Sequence, residues 1–226
     1  MGNDSGGAVA GRVVAVAGAS GLVGGALLAR LSADPGVARV HALVRRPLDV
    51  ESPKIEVHVT AFDRLPALPP LDEVYLALGT TIRVAGSQAA FRAVDFDANL
   101  AVATAAVAAG TKRIGLVSAM GANAGSRVFY NRVKGELEDA LSALPLDALV
   151  IARPSLLLGD RDRLGQPRRA GERLAEGLDR WLRPVIPARI RGIAADDVAA
   201  ALAAAVPQAQ GRQVLDSARM QGAARG

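Results

Sequence analysis

Two short motifs about 110 residues apart constrain this chain of 226 residues more than any other feature. The first is GASGLVG at 18–24, directly after the apolar run VVAVA, and the second is YNRVK, which spaces Tyr130 and Lys134 four residues apart. An apolar strand followed by a glycine-rich turn and a helical pattern is typical of a dinucleotide-binding fold. Because residues i and i+4 share one helix face, the second motif predicts a tyrosine base held beside a nicotinamide.

Short apolar runs alternate with longer helical patterns along the chain. The runs are at 12–18, 39–44, 55–59, 73–79, 113–118, 147–152 and 212–216, and the helical patterns at 22–33, 87–109, 130–144, 170–183 and 195–206. This alternation predicts an α/β fold, a Rossmann-type doubly wound parallel sheet with helices on both faces and right-handed crossovers. The stretch RRPLDVESP, between the second and third strands, is too short and proline-broken to promise a helix.

The length fits a single NAD(P)-binding Rossmann domain over 11–226, preceded by a flexible tail at 1–10. Residues 155–195 are expected to form most of a small C-terminal lobe over the carboxyl ends of the strands, where open α/β sheets bind ligands. Within it, the charged stretch at 159–171 is expected to be a lid whose arginines draw in an anionic substrate. A solvated loop without that role is the alternative. The arginines are Arg161, Arg163, Arg168 and Arg169.

Composition excludes several function classes. The chain has no cysteine, so disulfides, thiolate metal sites and a cysteine nucleophile are ruled out. His41 and His58 are the only imidazoles, and both lie in predicted strands as core or surface residues. A Ser-His-Asp hydrolase is therefore poorly supported, and no metal site is expected.

The formal net charge is +5, but the arginines are scattered among acids, and aromatic residues make up only 3% of the chain. Nucleic-acid binding is not expected, since neither a basic stripe nor an aromatic platform is present. No apolar run reaches the roughly 18 residues that cross a bilayer, and the N-terminus lacks a secretory signal. These features predict a cytoplasmic protein whose partner is a small-molecule substrate, not a membrane. They leave the oligomeric state open.

The glycines of GASGLVG have separate predicted roles. Gly18 permits the tight turn after the strand, Gly21 lets the backbone approach a pyrophosphate, and Gly24 lets the helix lie close to the sheet. The first helical N–H groups and the helix dipole then face the phosphates. The other cofactor contacts predicted in this turn are Ser20, Leu22 and Val23.

The end of the second strand indicates which dinucleotide is bound. An acid there would hold the ribose 2′-hydroxyl of NAD, whereas this chain has Arg45 and Arg46, which suit a 2′-phosphate. The sequence therefore predicts NADP(H). Phe62 and Asp63, after the third strand, are expected near the adenine. The residues expected near the nicotinamide-side ribose are Leu78, Gly79, Thr80 and Thr81.

Tyr130 and Lys134 are the predicted catalytic pair. A tyrosine hydroxyl has a pKa of about 10 and is a poor base, but a neighbouring ammonium and a nicotinamide cation favour the phenolate. Tyr130 would exchange a proton with a hydroxyl or carbonyl while hydride moves to or from the cofactor. Lys134 would also hold the ribose hydroxyls. Ser118, at the end of the fifth strand, is the candidate hydroxyl partner, with a serine that caps its own turn as the alternative.

On these residues the chain resembles the short-chain dehydrogenase/reductase superfamily, in particular its atypical branch of Tat-interacting-protein-like, NADPH-binding oxidoreductases and their small bacterial relatives. The stretches that carry the resemblance lie within 18–161: GASGLVG, ALVRR, LALGTTIRVAGS, FRAVDFDANLAVATAA, LVSAMGAN, FYNRVKGELE and ARPSLLLGDR. The resemblance implies that Tyr130 is the proton donor with Lys134 as its partner. It also implies that Arg153, Pro154 and Ser155 shape the nicotinamide side.

One departure from the superfamily pattern affects the functional prediction. Many members have a second, active serine after the first at the end of the fifth strand, and Ala119 stands at that position here. The sequence therefore predicts an NADP(H)-dependent oxidoreductase that acts on a small carbonyl or hydroxyl compound. The alternative is a non-catalytic NADP(H)-binding redox sensor or regulator. An epimerase or dehydratase for sugar-like substrates is less well supported, because the C-terminal lobe is small.

Overall fold

The computed structural model describes residues 11–158 and 191–225. Their central element is a seven-stranded sheet in the order β3-β2-β1-β4-β5-β6-β9, in which all neighbouring strands are parallel. Its strands are β1 (Arg12–Ala17), β2 (Val37–Val44), β3 (Ile55–Val59), β4 (Glu73–Leu76), β5 (Arg113–Val117), β6 (Ala148–Arg153) and β9 (Gly211–Asp216). The predicted doubly wound parallel sheet is confirmed.

The helices follow the predicted pattern with one interruption. They are α1 (Leu22–Ala33), α2 (Ile82–Ala85), α3 (Gln88–Arg92), α4 (Asn99–Ala108), α5 (Phe129–Ser142), α6 (Ala195–Ala205) and α7 (Ser217–Met220). The stretch predicted as one helix at 87–109 consists of α3, a π-helical segment (Ala93–Ala98) and α4. As predicted, no helix joins β2 to β3.

Two apolar layers sandwich the sheet. On one face, Leu27 of α1 packs in the same cluster as Leu202 of α6. On the other, Val102 of α4 packs with Leu137 of α5. Because both faces are covered, the central strands β1, β4 and β5 are mostly apolar after a charged first residue. Each fully buried leucine contributes roughly 1.5–3 kcal/mol.

The strand order places the carboxyl end of β1 at a switch point. The chain leaves β1 into α1 on one face and leaves β4 toward α2, α3 and α4, whose core lies on the other face. In open α/β sheets, the crevice at such a point is where ligands bind. The glycine turn and the ends of β2, β4 and β5 therefore meet at one edge of the sheet.

The structure describes only the two ends, 155–158 and 191–195, of the stretch expected to form the C-terminal lobe. The short strands β7 (Leu157–Leu158) and β8 (Ile193–Ala194) pair in parallel as a separate two-stranded sheet. The expected tail at 1–10, the lid at 159–171 with its arginines, and the helix at 170–183 lie outside the described residues. Within 11–158 and 191–225, no helix is long and apolar enough to cross a membrane.

Candidate active site at the carboxyl edge of the sheet

The three glycines of the first turn have different steric surroundings. Gly18 has a φ of 84°, in the left-handed region. A Cβ at Gly24 would lie 2.0 Å from the carbonyl oxygen of Gly18, so the fold itself requires both residues. A Cβ at Gly21 would meet only that same oxygen, at 3.3 Å. Gly21 is thus the glycine whose missing side chain leaves room above the turn.

Gly21 is also the N-cap residue of α1, and no side chain caps this helix. The first-turn N–H groups of a helix have no partner within it, and those of α1 point toward the carboxyl edge of the sheet. An uncapped helix N-terminus behind a glycine turn favours an anionic group such as a phosphate.

A cavity of about 230 Å³ lies at the switch point. It is bounded by the glycine turn, the chain segments that follow β2, β4 and β5, and one face of α5. Its walls bring together most of the predicted site residues: Gly21, Leu22, Val23, Arg45, Leu78, Gly79, Thr80, Thr81, Ser118, Tyr130 and Lys134. Asp95 also lines the cavity, although it is not among the predicted site residues.

A smaller cavity of about 80 Å³ shares Gly21, Arg45, Ala77, Leu78 and Gly79 with the first one. Its other predicted residues are Gly18, Ser20, Arg46 and Phe62. Arg45 and Arg46 are both exposed at the end of β2. Asp63 is exposed and lines neither cavity. The structure thus places the two arginines, Ser20 and Phe62 together, in a cavity that Tyr130 does not line.

The ammonium of Lys134 forms a buried ion pair. Its Nζ lies 2.7 Å from Oδ1 of Asp95, with side-chain exposures of 5% and 1%. The other oxygen of Asp95 accepts a hydrogen bond from the amide of Thr80 at 2.8 Å. Burial alone would lower the pKa of Lys134, but Asp95 and Tyr130 outweigh it, and the pKa is raised. Lys134 is therefore held protonated at a fixed point on the cavity wall.

Asp95 reaches this position from the π-helical segment. Such segments are uncommon and are found frequently at functional sites. The amide of Asn99, at the start of α4, donates to the carbonyls of Asp95 and Leu78, each at 3.1 Å. These bonds tie the segment to the chain that follows β4, and so they fix the carboxylate of Asp95 opposite Lys134.

Tyr130 lies on the first turn of α5, half-buried, on the same cavity wall as Lys134. Its ring packs on the fully buried Phe91, with ring centroids 5.5 Å apart. The close approach of α5 to the loop after β5 depends on Gly135, where a Cβ would lie 2.1 Å from the amide nitrogen of Ala124. The spacing that the sequence predicted therefore places both side chains at one site.

Ser118 lines the cavity, but its hydroxyl is bound to a buried carboxylate. Its Oγ donates to Oε1 of Glu138 at 2.6 Å, and Glu138 is 1% exposed. Arg153 donates to both oxygens of Glu138, at 3.0 and 2.5 Å, and Arg212 donates at 3.1 Å. The bond to Glu138 raises the pKa of Arg153. The hydroxyl of Ser118 is thus one of several donors that satisfy Glu138.

The structure does not bring Arg153, Pro154 or Ser155 into either cavity. The guanidinium of Arg153 is held by Glu138, and Pro154 is buried. The hydroxyl of Ser155 donates to the carbonyl of Arg191. On this side of the larger cavity the wall is formed by Leu157 of β7 instead.

Asp95 and Glu138 are the residues that the sequence analysis missed, and each had a signal. Tyr130, Lys134 and Glu138 are each four residues apart, which puts all three on one face of α5. Asp95 precedes Asn99 by four residues, within a stretch whose neighbours are mostly apolar. Polar side chains on the buried face of a helix are unusual and need partners.

Comparison with solved structures identifies the fold class. MoeE5, solved in complex with UDP-glucose and NAD, superposes with a TM-score of 0.67 at 20% identity, covering 89% of this chain and 74% of that one. A short-chain dehydrogenase/reductase superfamily protein from Agrobacterium tumefaciens, with bound NAD, gives 0.63 at 16% identity, covering 90% and 77%. The fold is that of the short-chain dehydrogenases/reductases, as the sequence resemblance implied.

Sequence relatives identify the family within that class. Protein fmp52, mitochondrial, of Emericella nidulans is 36% identical over 159 residues, which are 66% of this chain and 68% of the relative. Protein FMP52, mitochondrial, of Eremothecium gossypii is 39% identical over 150 residues, 65% and 67%. The chain belongs to the family of these FMP52 proteins. No model of a known protein family matches it.

These relatives correct the prediction of a cytoplasmic protein. They are named mitochondrial, which contradicts that prediction. The prediction rested on the lack of a secretory signal and of a membrane-spanning run. Neither feature bears on mitochondrial import, because transit peptides have a different, amphipathic and arginine-rich character.

Proposed function

We propose that the chain is an NADP(H)-dependent oxidoreductase that acts on a small carbonyl or hydroxyl substrate. The observation that carries this proposal is that one cavity is lined jointly by Gly21, Arg45, Tyr130 and Lys134. The decisive experiment is a calorimetric titration with NADPH, followed by a screen of carbonyl compounds for NADPH oxidation. The proposal requires tight binding and at least one substrate for which oxidation depends on Tyr130.

The donors around the cavity fit a phosphorylated dinucleotide. The open space at Gly21 and the uncapped start of α1 would accept the pyrophosphate. Arg45, Arg46 and Ser20, which share the smaller cavity, would hold the 2′-phosphate. Lys134 and Thr80 would lie at the nicotinamide-side ribose. When bound, the nicotinamide supplies or accepts the hydride.

Residues of the chain would then transfer the proton that accompanies the hydride. Tyr130, anchored by Phe91, would give its hydroxyl proton to a substrate oxygen or take one from it. Lys134 is held in position, because its ammonium forms an ion pair with Asp95. The apolar wall formed by Leu78, Val117 and Leu157 would exclude water from the reacting atoms.

Arg45→Ala should lower NADPH affinity by about tenfold or more while NADH affinity stays unchanged, because a charge-assisted bond to a phosphate is worth about 1.5–3 kcal/mol. Titrations with both cofactors measure this preference. Arg30→Ala, an exposed arginine on α1 that lines neither cavity, is the control and should bind as the unmodified chain does. An unchanged preference in Arg45→Ala would remove the basis for assigning NADP(H).

Gly21→Val should lower NADPH affinity at least about tenfold with little loss of stability. The new side chain would occupy the room above the turn, while the chain itself offers only one tight contact there. Gly25→Ala, whose Cβ would make an ordinary contact at 3.5 Å, is the control. It should bind normally and gain about 0.4–1 kcal/mol in stability. Native affinity in Gly21→Val would show that the turn is not the phosphate site.

A non-catalytic NADP(H)-binding sensor or regulator is the second candidate, and the contacts of Ser118 favour it. The Ser118 hydroxyl, which would assist Tyr130, donates its hydrogen bond to Glu138 instead. Ala119, the next residue, has no hydroxyl to replace it. Tight NADPH binding without turnover on any carbonyl compound would support this candidate. Turnover that is lost in Tyr130→Phe would exclude it.

A further inference from the structure

We propose that His41, Glu56 and His58 form a binding site for one divalent transition-metal ion of the zinc type, at the β3 edge of the sheet. Nothing in the dinucleotide site requires this site, and it shares no residue with either cavity. Among the residues that the structure describes, this is the one cluster of three potential His or carboxylate ligands with donor atoms this close together.

The pairing register of two strands brings the three side chains to one face. Glu56 and His58 are two residues apart on β3, so they point to the same side of the sheet. His41 lies directly opposite Glu56 on the parallel neighbour β2. Taken singly, each histidine is an ordinary strand residue, which is why the sequence predicted no metal site. Only the register places two imidazoles and a carboxylate together.

The donor atoms have the separations that a metal ion needs. Nδ1 of His41 and Nε2 of His58 face each other at 2.8 Å. Oε1 of Glu56 lies 3.5 Å from Nε2 of His58, and its other oxygen, Oε2, lies 3.8 Å from Nδ1 of His41. Ligands about 2.0–2.1 Å from a tetrahedral ion are about 3.3 Å apart, and the three observed separations bracket that value. A shift of a few tenths of an ångström in each side chain would seat the ion.

The surroundings suit an ion of this type. The imidazole of His41 is buried, and the neutral form of a histidine is the form that ligates a metal ion. The carboxylate of Glu56 is 46% exposed and the imidazole of His58 25%. Solvent therefore reaches the donors, and a water can supply the fourth ligand that three-residue zinc sites leave open.

Arg39 is the main competitor of the ion for Glu56. Arg39 donates a hydrogen bond to Oε2 of Glu56 at 3.1 Å, and its side chain is 57% exposed. Such an exposed pair is weak, so an ion can displace the guanidinium. When bound, the ion would clamp the edge strand β3 to β2, because its ligands come from both strands.

The test is a calorimetric titration of the full chain, free of any polyhistidine tag, with ZnCl₂, alongside visible absorption with CoCl₂ and thermal unfolding with and without EDTA. We expect one ion per chain and a Tm that rises with zinc concentration. Glu56→Gln and His58→Gln should each weaken zinc binding at least about tenfold to a hundredfold, since even indirect partners of metal ligands have effects of that size. NADPH affinity should stay unchanged in both.

Arg39→Gln is the matched control, because it removes the competing charge and leaves the ligands intact. It should bind zinc as tightly as the unmodified chain or more tightly. Circular dichroism would reveal whether His58→Gln folds. If it does not, Glu56→Gln still decides the test, because Glu56 is exposed. Absence of saturable binding at one ion per chain would overturn the proposal, and so would binding by Glu56→Gln that equals the unmodified chain.

Discussion

Tyr130→Phe should lower the turnover of a verified carbonyl substrate by about 10²–10⁴-fold, the usual contribution of general acid–base catalysis. NADPH affinity should not change. The variant keeps the ring that packs on Phe91 and removes only the hydroxyl that is proposed to exchange the proton. Steady-state kinetics and an NADPH titration of the same preparation measure the two effects. Turnover at the native rate would refute the proton-transfer role of Tyr130.

Ser118→Ala provides a comparison with Tyr130→Phe, because Ser118 lines the same cavity. Because the hydroxyl of Ser118 donates to Glu138, its loss should destabilise the fold by about 1.5–3 kcal/mol, as for a bond to a charged group. Turnover should fall much less than in Tyr130→Phe. A loss as large as that of Tyr130→Phe would instead make Ser118 the hydroxyl partner in catalysis.

The features that were predicted from sequence are those set by local chemistry. The order of apolar strand, glycine turn and helix is a contiguous pattern, so β1, the turn and α1 lie close to where they were expected. The spacing of Tyr130 and Lys134 is fixed by the helix period, and both line the cavity. The absence of a helix between β2 and β3 followed from the prolines and the shortness of that segment.

The features that were missed depend on tertiary contacts. The helical pattern at 87–109 carries no sign of the π-helical segment. Asn99, which directly follows that segment, donates a hydrogen bond to the carbonyl of Leu78, twenty-one residues earlier in the chain. Glu138 was missed because its contact with the hydroxyl of Ser118, twenty residues earlier in the chain, exists only once α5 packs on the sheet. The histidine pair likewise depends on the register of β2 and β3.

The Asp95–Lys134 pair changes the expected electrostatics of the site. In the sequence alone, Lys134 is a free ammonium that favours a tyrosine phenolate. In the structure, the carboxylate of Asp95 lies 2.7 Å from that ammonium and offsets its charge. In the proposed oxidoreductase, the positive charge that favours a phenolate would then come largely from an oxidised nicotinamide. Acid–base chemistry at Tyr130 would therefore depend on which form of the cofactor is bound.

Asp95→Asn should lower the free energy of unfolding by about 3–5 kcal/mol, the range measured when one partner of a buried ion pair is removed. The carboxylate accepts from the amide of Thr80 on one oxygen and faces Lys134 with the other. An asparagine has one oxygen, so its NH₂ group must face either the Thr80 amide or the ammonium. Both are donors, and one of them is left buried without an acceptor.

Asp97→Asn is the matched control for this prediction. Asp97 lies two residues further along the same π-helical segment, and its side chain is exposed. Its replacement should change stability by no more than about 0.5 kcal/mol. Urea unfolding of both variants measures the difference. An Asp95→Asn variant as stable as Asp97→Asn would mean that Lys134 is not held by this pair, and that its place on the cavity wall has another cause.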